Sequence, residues 1–173
     1  MKNRLLMLAG RINSGKDYTA DTLVMNGGWT KLALAEHLKE HVSSKYKIDL
    51  QLLNTHVGKA MIHEPSNKTY RTLLIESAKE LKKENQDYFV NKLIQKIRTK
   101  PITTNIVISD FRYPNEYKKI LECLGSDFEI VTVRVFRDEE IKLNDPSENA
   151  LENFKFDQEF NNNHRTTRLN WFF

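Results

Sequence analysis

From residue 10 the chain reads Gly10-Arg11-Ile12-Asn13-Ser14-Gly15-Lys16-Asp17, with a lysine directly after the second glycine. The G-x-x-x-x-G-K spacing lets a turn bring its backbone N–H groups close to a phosphate while the lysine adds a mobile positive charge. Ser or Thr usually follows, and its hydroxyl ligates Mg²⁺; here the residue is Asp17. Asp17 has two readings: a carboxylate that helps hold Mg²⁺, or an acid that suits the first turn of a helix.

Two further groupings could carry chemistry. Ser109-Asp110-Phe111-Arg112 follows the apolar run Ile106–Ile108, so Asp110 would stand at the carboxyl end of a strand, within reach of a metal shared with the glycine turn, and Arg112 would project to the same edge. The plainer reading is an aspartate that caps the next turn. His37-Leu38-Lys39-Glu40-His41 fits H-x-x-E-H, in which two histidines one helical turn apart bind zinc and the glutamate acts as a base, but it also fits a chance pair of histidines on a charged helix.

These groups need elements to hold them. Arg4–Ala9 reads as a buried strand and Lys16–Met25 as the helix leaving the glycine turn, so loop amides and the positive end of a helix dipole meet at one point. Trp29–Leu34 reads as a second strand, Glu36–Tyr46 as a helix, and Ile48–Ile62 as helical. After a loop at 63–67, helices are expected over Thr69–Lys83 and Asp87–Thr99, then a strand over Asn105–Asp110. Pro114 suits the first turn of a helix to Leu124, and Phe128–Phe136 is rich in β-branched strand formers. Phe154–Phe160 reads as an edge strand and Trp171–Phe173 as a docked tail. Strands alternating with helices imply an α/β fold with a mostly parallel sheet.

Composition narrows the classes. The 173 residues suffice for one full core, and no apolar run approaches the roughly 18 residues needed to span a bilayer. With Cys123 the only cysteine, no internal disulfide forms, which fits a reducing compartment and a packing role for that residue. The net charge of +4 suits a polyanionic substrate, nucleic acid or an acidic surface equally well. Lys92, Lys96, Arg98 and Lys100 read as a solvated helix face, and Phe154, Phe156 and Phe160 as the face of an edge strand rather than a base-stacking platform.

Taken in order, these stretches resemble the deoxynucleoside monophosphate kinases of phages and large viruses, a branch of the P-loop kinases whose loop characteristically reads S-G-K-D. Ser14-Gly15-Lys16-Asp17 matches that loop, and Leu34-Ala35-Glu36-His37-Leu38-Lys39-Glu40 is similar to the family's F-A-D-P-L-K-E. Tyr70-Arg71-Thr72-Leu73-Leu74 resembles its arginine-bearing helix, and Asp87-Tyr88-Phe89-Val90-Asn91 its D-x-W-V-N. Ile108-Ser109-Asp110-Phe111-Arg112-Tyr113-Pro114-Asn115-Glu116 is similar to V-x-S-D-V-R-F-P-N-E. Val133–Arg137, Ser147–Leu151 and Phe156-Asp157 with Asn162 resemble the remaining strand, lid and final strand. Tyr18 departs from the family's usual Thr, His37 from its proline, and Ser77-Ala78 from its Gly-Thr.

The resemblance implies a single three-layer α/β/α P-loop kinase domain over residues 1–173, with a sheet of about five strands and a small lid near 137–155. It implies transfer of the γ-phosphoryl group of ATP, with Mg²⁺, to a (deoxy)nucleoside monophosphate. Gly10, Arg11, Asn13, Ser14, Gly15, Lys16, Asp17 and Tyr18 would bind ATP; Asp17 and Asp110 would serve the metal; Lys39, Arg71, Phe89 and Arg112 would bind the acceptor; and Lys16, Arg137 and Asp110 would carry catalysis. A homodimer and a cytoplasmic location, the host cytoplasm for a viral chain, are expected, with neither membrane nor nucleic acid as a partner. Near relatives act on phosphomevalonate and dephospho-coenzyme A, so a non-nucleotide acceptor is the first alternative. A non-catalytic protein that binds nucleotide or nucleic acid is the second.

Overall fold

Strand β1 (Asn3–Ala9) is buried from Leu5 to Ala9 without a polar interruption, the pattern of a strand covered on both faces. The computed structural model describes residues 2–100, 104–138 and 149–163. Its elements continue with α1 (Lys16–Met25), β2 (Trp29–Leu32), α2 (Glu36–Tyr46), α3 (His56–Ala60), β3 (Ile62–His63) and β4 (Lys68–Thr69). They end with α4 (Tyr70–Glu84), α5 (Tyr88–Arg98), β5 (Asn105–Ile108), α6 (Pro114–Leu124), β6 (Phe128–Phe136) and β7 (Gln158–Asn161).

The chain divides into two compact units. One comprises Met1–Ala33 with Leu93–Phe173, the other Leu34–Lys92. The first holds a five-stranded sheet in the order β2-β5-β1-β6-β7, every neighbouring pair parallel. Leu5 faces Ile106 on one side and Ile130 on the other, so β1 is paired along both edges. This is the α/β arrangement of a parallel sheet flanked by helices that the resemblance implies. Leu6, Leu8, Val107, Val133 and Val135 pack with Ala20 and Leu23 of α1, fixing that helix on one face of the sheet. Winding reverses at β1, whose neighbours β5 and β6 continue in opposite directions, and the crevice at the carboxyl ends of such strands is where α/β sheets bind ligands.

The second unit has its own core of Val42, Ile48, Leu53, Leu73 and Leu74. Thr69 caps α4, its Oγ1 accepting from Thr72 N–H at 3.1 Å, which explains why the helix begins at Tyr70. The continuous helix expected over 48–62 is instead a 3₁₀ turn at Leu52–Asn54 followed by the five-residue α3. Thr55, extended at φ −106°, breaks the run and caps α3 by accepting from Gly58 N–H at 2.9 Å. The loop at 63–67 is the turn of the short antiparallel hairpin β3–β4.

The expected edge strand also moves. Only residues 158–161 form β7, and Phe160 points into the core. Phe154 and Phe156 precede it and join Phe111 and Tyr117 in edge-on contacts, with ring centroids 4.9–6.4 Å apart. Cys123 is half-buried rather than packed away. The lid stretch from 139 to 148 and the tail at 171–173 lie outside the described residues.

Asp157 positions β7. Its carboxylate accepts from the backbone N–H and the hydroxyl of buried Thr132 at 2.8 and 2.7 Å, and its own N–H donates back to Thr132 Oγ1 at 3.0 Å. Asp157→Ala strands that N–H and hydroxyl, so it is expected to cost about 1–3 kcal/mol of stability. Urea unfolding of the two proteins measures this.

Candidate active site

At the end of β1 the backbone enters conformations that side chains resist. Gly10 has φ 148° and Gly15 φ 93°. A Cβ at Gly10 would strike the Val135 carbonyl and crowd the Ser14 hydroxyl, so the first glycine is required by close approach to β6. The turn is closed by Ser14 N–H donating to Arg11 O at 3.2 Å. Gly15 then serves as N-cap of α1 and, having no side chain, caps none of the first amides itself, so the helix N-terminus directly follows the turn. Lys16 folds back, its Nζ donating to the carbonyls of Gly10 at 2.5 Å and Arg11 at 2.8 Å. The ammonium therefore lies over the turn it would share with a phosphate.

Asp17 does not stand alone. Lys31 on β2 places its Nζ 2.9 Å from both Asp17 Oδ1 and Asp21 Oδ1, so one cation holds two carboxylates a helical turn apart. Desolvation opposes ionisation of Asp17, but the hydrogen bond and charge of Lys31, a hydrogen bond from Ser109 and the charge of Lys16 outweigh it and hold the carboxyl below its ordinary range. Desolvation likewise disfavours the Lys31 ammonium, and its bonds to Asp17 and Asp21 more than restore it, raising its pKa. Ser109, the residue immediately before Asp110, contributes to that lowering. The two carboxylates proposed for the metal thus belong to adjoining elements.

Tyr18 is 40% exposed on α1, while the next residue, Thr19, is buried with its hydroxyl donating to Gly15 O at 3.0 Å. The local hydroxyl is therefore spent on the helix backbone. Asp110 leaves β5 between two backbone anchors, Ser109 N–H to Leu32 O at 3.1 Å and Phe111 N–H to Leu8 O at 3.2 Å. The buried carboxylate of Glu116 accepts from the N–H groups of Arg112 and Tyr113 at 2.9 and 3.0 Å, fixing the backbone from which Arg112 projects. A cavity of about 220 Å³ opens here, and Arg11, Arg112 and Arg134 line it with Glu152 and the rings of Phe111 and Phe156. Arg137, just beyond β6, lies against Gly15. Arg11, Arg112 and Arg137 thus reach the strand ends from three different segments, while exposed Asn13, at φ 63°, forms the loop's outer corner.

The remaining candidates belong to the second unit. Lys39 donates to Asn54 Oδ1 at 2.8 Å, and Arg71 is exposed on the first turn of α4. Phe89 is buried, with Tyr88 edge-on at 5.3 Å and Lys82 Nζ 5.9 Å from its ring centre, so its ring is packed. In the H-x-x-E-H stretch His37 Nδ1 is 3.1 Å from Glu40, and no group of three His, Cys, Asp or Glu side chains suited to a metal occurs among the described residues.

No protein-family model matches the sequence, and none of the curated proteins does. Among solved structures, a Chloroflexus aurantiacus protein described provisionally as a kinase aligns over 79% of this chain with a TM-score of 0.43 and 11% identity. TT1252 from Thermus thermophilus aligns over 79% with a TM-score of 0.43 and 18% identity. The chain spans 62% and 67% of those two proteins. At that level of similarity neither neighbour transfers a substrate or a residue role to this chain. Among the described residues no helix is long and apolar enough to cross a membrane.

Lys31, Asn162 and Glu116 escaped the reading of the sequence as site residues. Lys31 sits in an ordinary strand and gains its partners only because β2 runs beside β5, so no local signal marks it. If Lys31 sets the ionisation of Asp17, the Asp17 carboxyl titrates below the ordinary aspartate range in the parent, and its midpoint rises in Lys31→Met. Carboxyl ¹³C NMR against pH reads both. The contact is solvent-exposed, so its share of global stability is expected to be small.

Proposed function

We propose that the chain is a phosphotransferase that moves the γ-phosphoryl group of ATP to a (deoxy)nucleoside monophosphate. The observation that carries this reading is the glycine turn that leads into the N-terminus of α1, with Lys16 folded over the turn and arginines at the neighbouring strand ends. Phosphoryl transfer asks little covalent chemistry of a protein and much positioning and charge neutralisation, which is what this collection of groups supplies.

In this reading the amides of the turn from Gly10 to Gly15, including Arg11, Asn13 and Ser14, cradle the ATP phosphates, and Tyr18 borders them. Lys16 leaves its two carbonyl partners for the terminal phosphates and follows the migrating group. Mg²⁺ keeps several waters and uses one or two carboxylates beside substrate phosphates, so Asp17 and Asp110 fit it in kind and number. When bound, the ion neutralises phosphate charge; Lys31 holds Asp17 and Glu116 steadies the turn after Asp110. Arg112, Lys39 and Arg71 are assigned to the acceptor phosphate, Phe89 to its base, and Arg137 to the charge that develops during transfer. A charged pair of reactants repels itself, and this excess of cations is the physical answer to that repulsion.

Lys16→Ala should keep the cooperative unfolding transition and lose at least about a thousandfold in kcat, since it removes the cation that follows the migrating group. A coupled ATP-consumption assay across the common dNMPs and NMPs, with phosphomevalonate and dephospho-coenzyme A included, reads it; retained turnover in the variant overturns the assignment. Arg71→Ala should raise the acceptor KM by about tenfold or more with a smaller effect on the KM for ATP. Equal rises in both would remove Arg71 from the acceptor site.

A further inference from the structure

The second glycine of the turn is crowded from a direction the motif does not account for. A Cβ at Gly15 would fall on Nδ2 of Asn162 and come within 3.3 Å of an Arg137 guanidinium nitrogen. Asn162 is almost fully buried, at 1% exposure, and its Nδ2 donates to the Ser14 carbonyl at 3.0 Å across 148 residues of chain. A trans peptide holds its C=O and N–H in opposite directions. The hydrogen bond that draws the Ser14 carbonyl toward Asn162 therefore turns the Gly15 N–H the other way.

Asn162 is itself tightly held. Its N–H donates to Phe136 O at 2.8 Å, extending the β6–β7 ladder by one step. On either side, Asn161 Nδ2 donates to Asp138 Oδ1 at 3.2 Å, and Asn163 both accepts from Asp138 N–H at 3.0 Å and donates to Asp138 Oδ2. This clasp leaves the intervening residue little freedom. Asn162 Oδ1, Ser14 Oγ and Arg137 Nε are all buried and have no hydrogen-bond partner among the described residues. Buried polar atoms are rarely left so, and the carboxamide keeps its bond to Ser14 while its own oxygen goes unpaired.

We propose that Asn162 is a positioning residue of the phosphate turn: by holding the Ser14 carbonyl it aims the Gly15 N–H at a bound polyphosphate. Without that bond the Ser14–Gly15 peptide is free to rotate, and the turn trades an inward donor for an inward carbonyl that repels phosphate. The inference rests on the phosphate-binding reading of the turn but not on the identity of the acceptor.

The test compares the parent with Asn162→Ala and Asn162→Asp at pH 8, where the aspartate has no donor to give. Calorimetry with inorganic tripolyphosphate measures the turn by itself, ¹⁵N-resolved NMR follows the Gly15 N–H, and acceptor KM and thermal unfolding serve as controls. The expected result is about tenfold weaker tripolyphosphate binding in both variants, loss of the ligand-induced Gly15 shift seen in the parent, and an acceptor KM within about twofold. Tripolyphosphate affinity unchanged within about twofold, or an equal loss for every ligand, overturns the proposal and leaves the proposed function standing. A parent that binds no tripolyphosphate overturns both. Should the variants not fold, the parent decides: the Asn162 carboxamide protons should exchange with solvent far more slowly than those of exposed Asn26, and equal rates refute the bond.

Discussion

A strand paired along both edges and buried on both faces has no lateral exit, so its chain must leave at the end of the sheet. β1 is such a strand, with β5 and β6 on its two sides and every side chain from Leu5 to Ala9 withdrawn from water. The residues that follow are delivered to the carboxyl edge at the point where winding reverses. Gly10 must also pass beneath the Val135 carbonyl, and Gly15 must start a helix in a left-handed conformation. The geometry of the glycine turn thus follows from how the central strand is confined.

The other site groups are placed by the same sheet. Asp110 follows β5, the neighbour of β1, and Arg137 follows β6, the neighbour on the other side. Lys31 comes from β2, one strand further out, and reaches α1 because α1 packs over that half of the sheet. Carboxylates serve as fasteners at two of these points, buried Glu116 beneath the turn after β5 and exposed Asp157 against buried Thr132 of β6. Each replaces a missing backbone partner at a strand end, where ladder hydrogen bonding runs out.

Much of this was legible in the chain because local and global signals agreed. The apolar run before Gly10, the glycine punctuation and Pro114 before a periodic helix each specify one element by chemistry acting over a few residues, and β1, α1 and α6 fall where those signals place them. The segment after Ile48 misled because its apolar spacing is helical while Thr55 prefers to cap. Phe154 and Phe156 misled in another way: aromatic residues favour strands, but their partners Phe111 and Tyr117 lie far away in sequence. Lys31 was beyond reach because what matters about it is a neighbour that only strand order supplies, and Asn162, part of the family resemblance, gave no sign of its bond to Ser14.

Lys16 gives the turn a threshold. Its ammonium donates to the carbonyls of Gly10 and Arg11, and a hydrogen bond to a charged group is worth roughly 1.5–3 kcal/mol. On the proposed function, an incoming anion must displace those two oxygens before it gains the lysine. A singly charged ion that touches one or two amides returns too little, whereas a chain of linked phosphates engages the amides, the helix terminus and the ammonium together. On the proposed function the turn would thereby be latched against the small anions of a cell and released by multivalent ones, a filter on ligand valence that requires no moving domain.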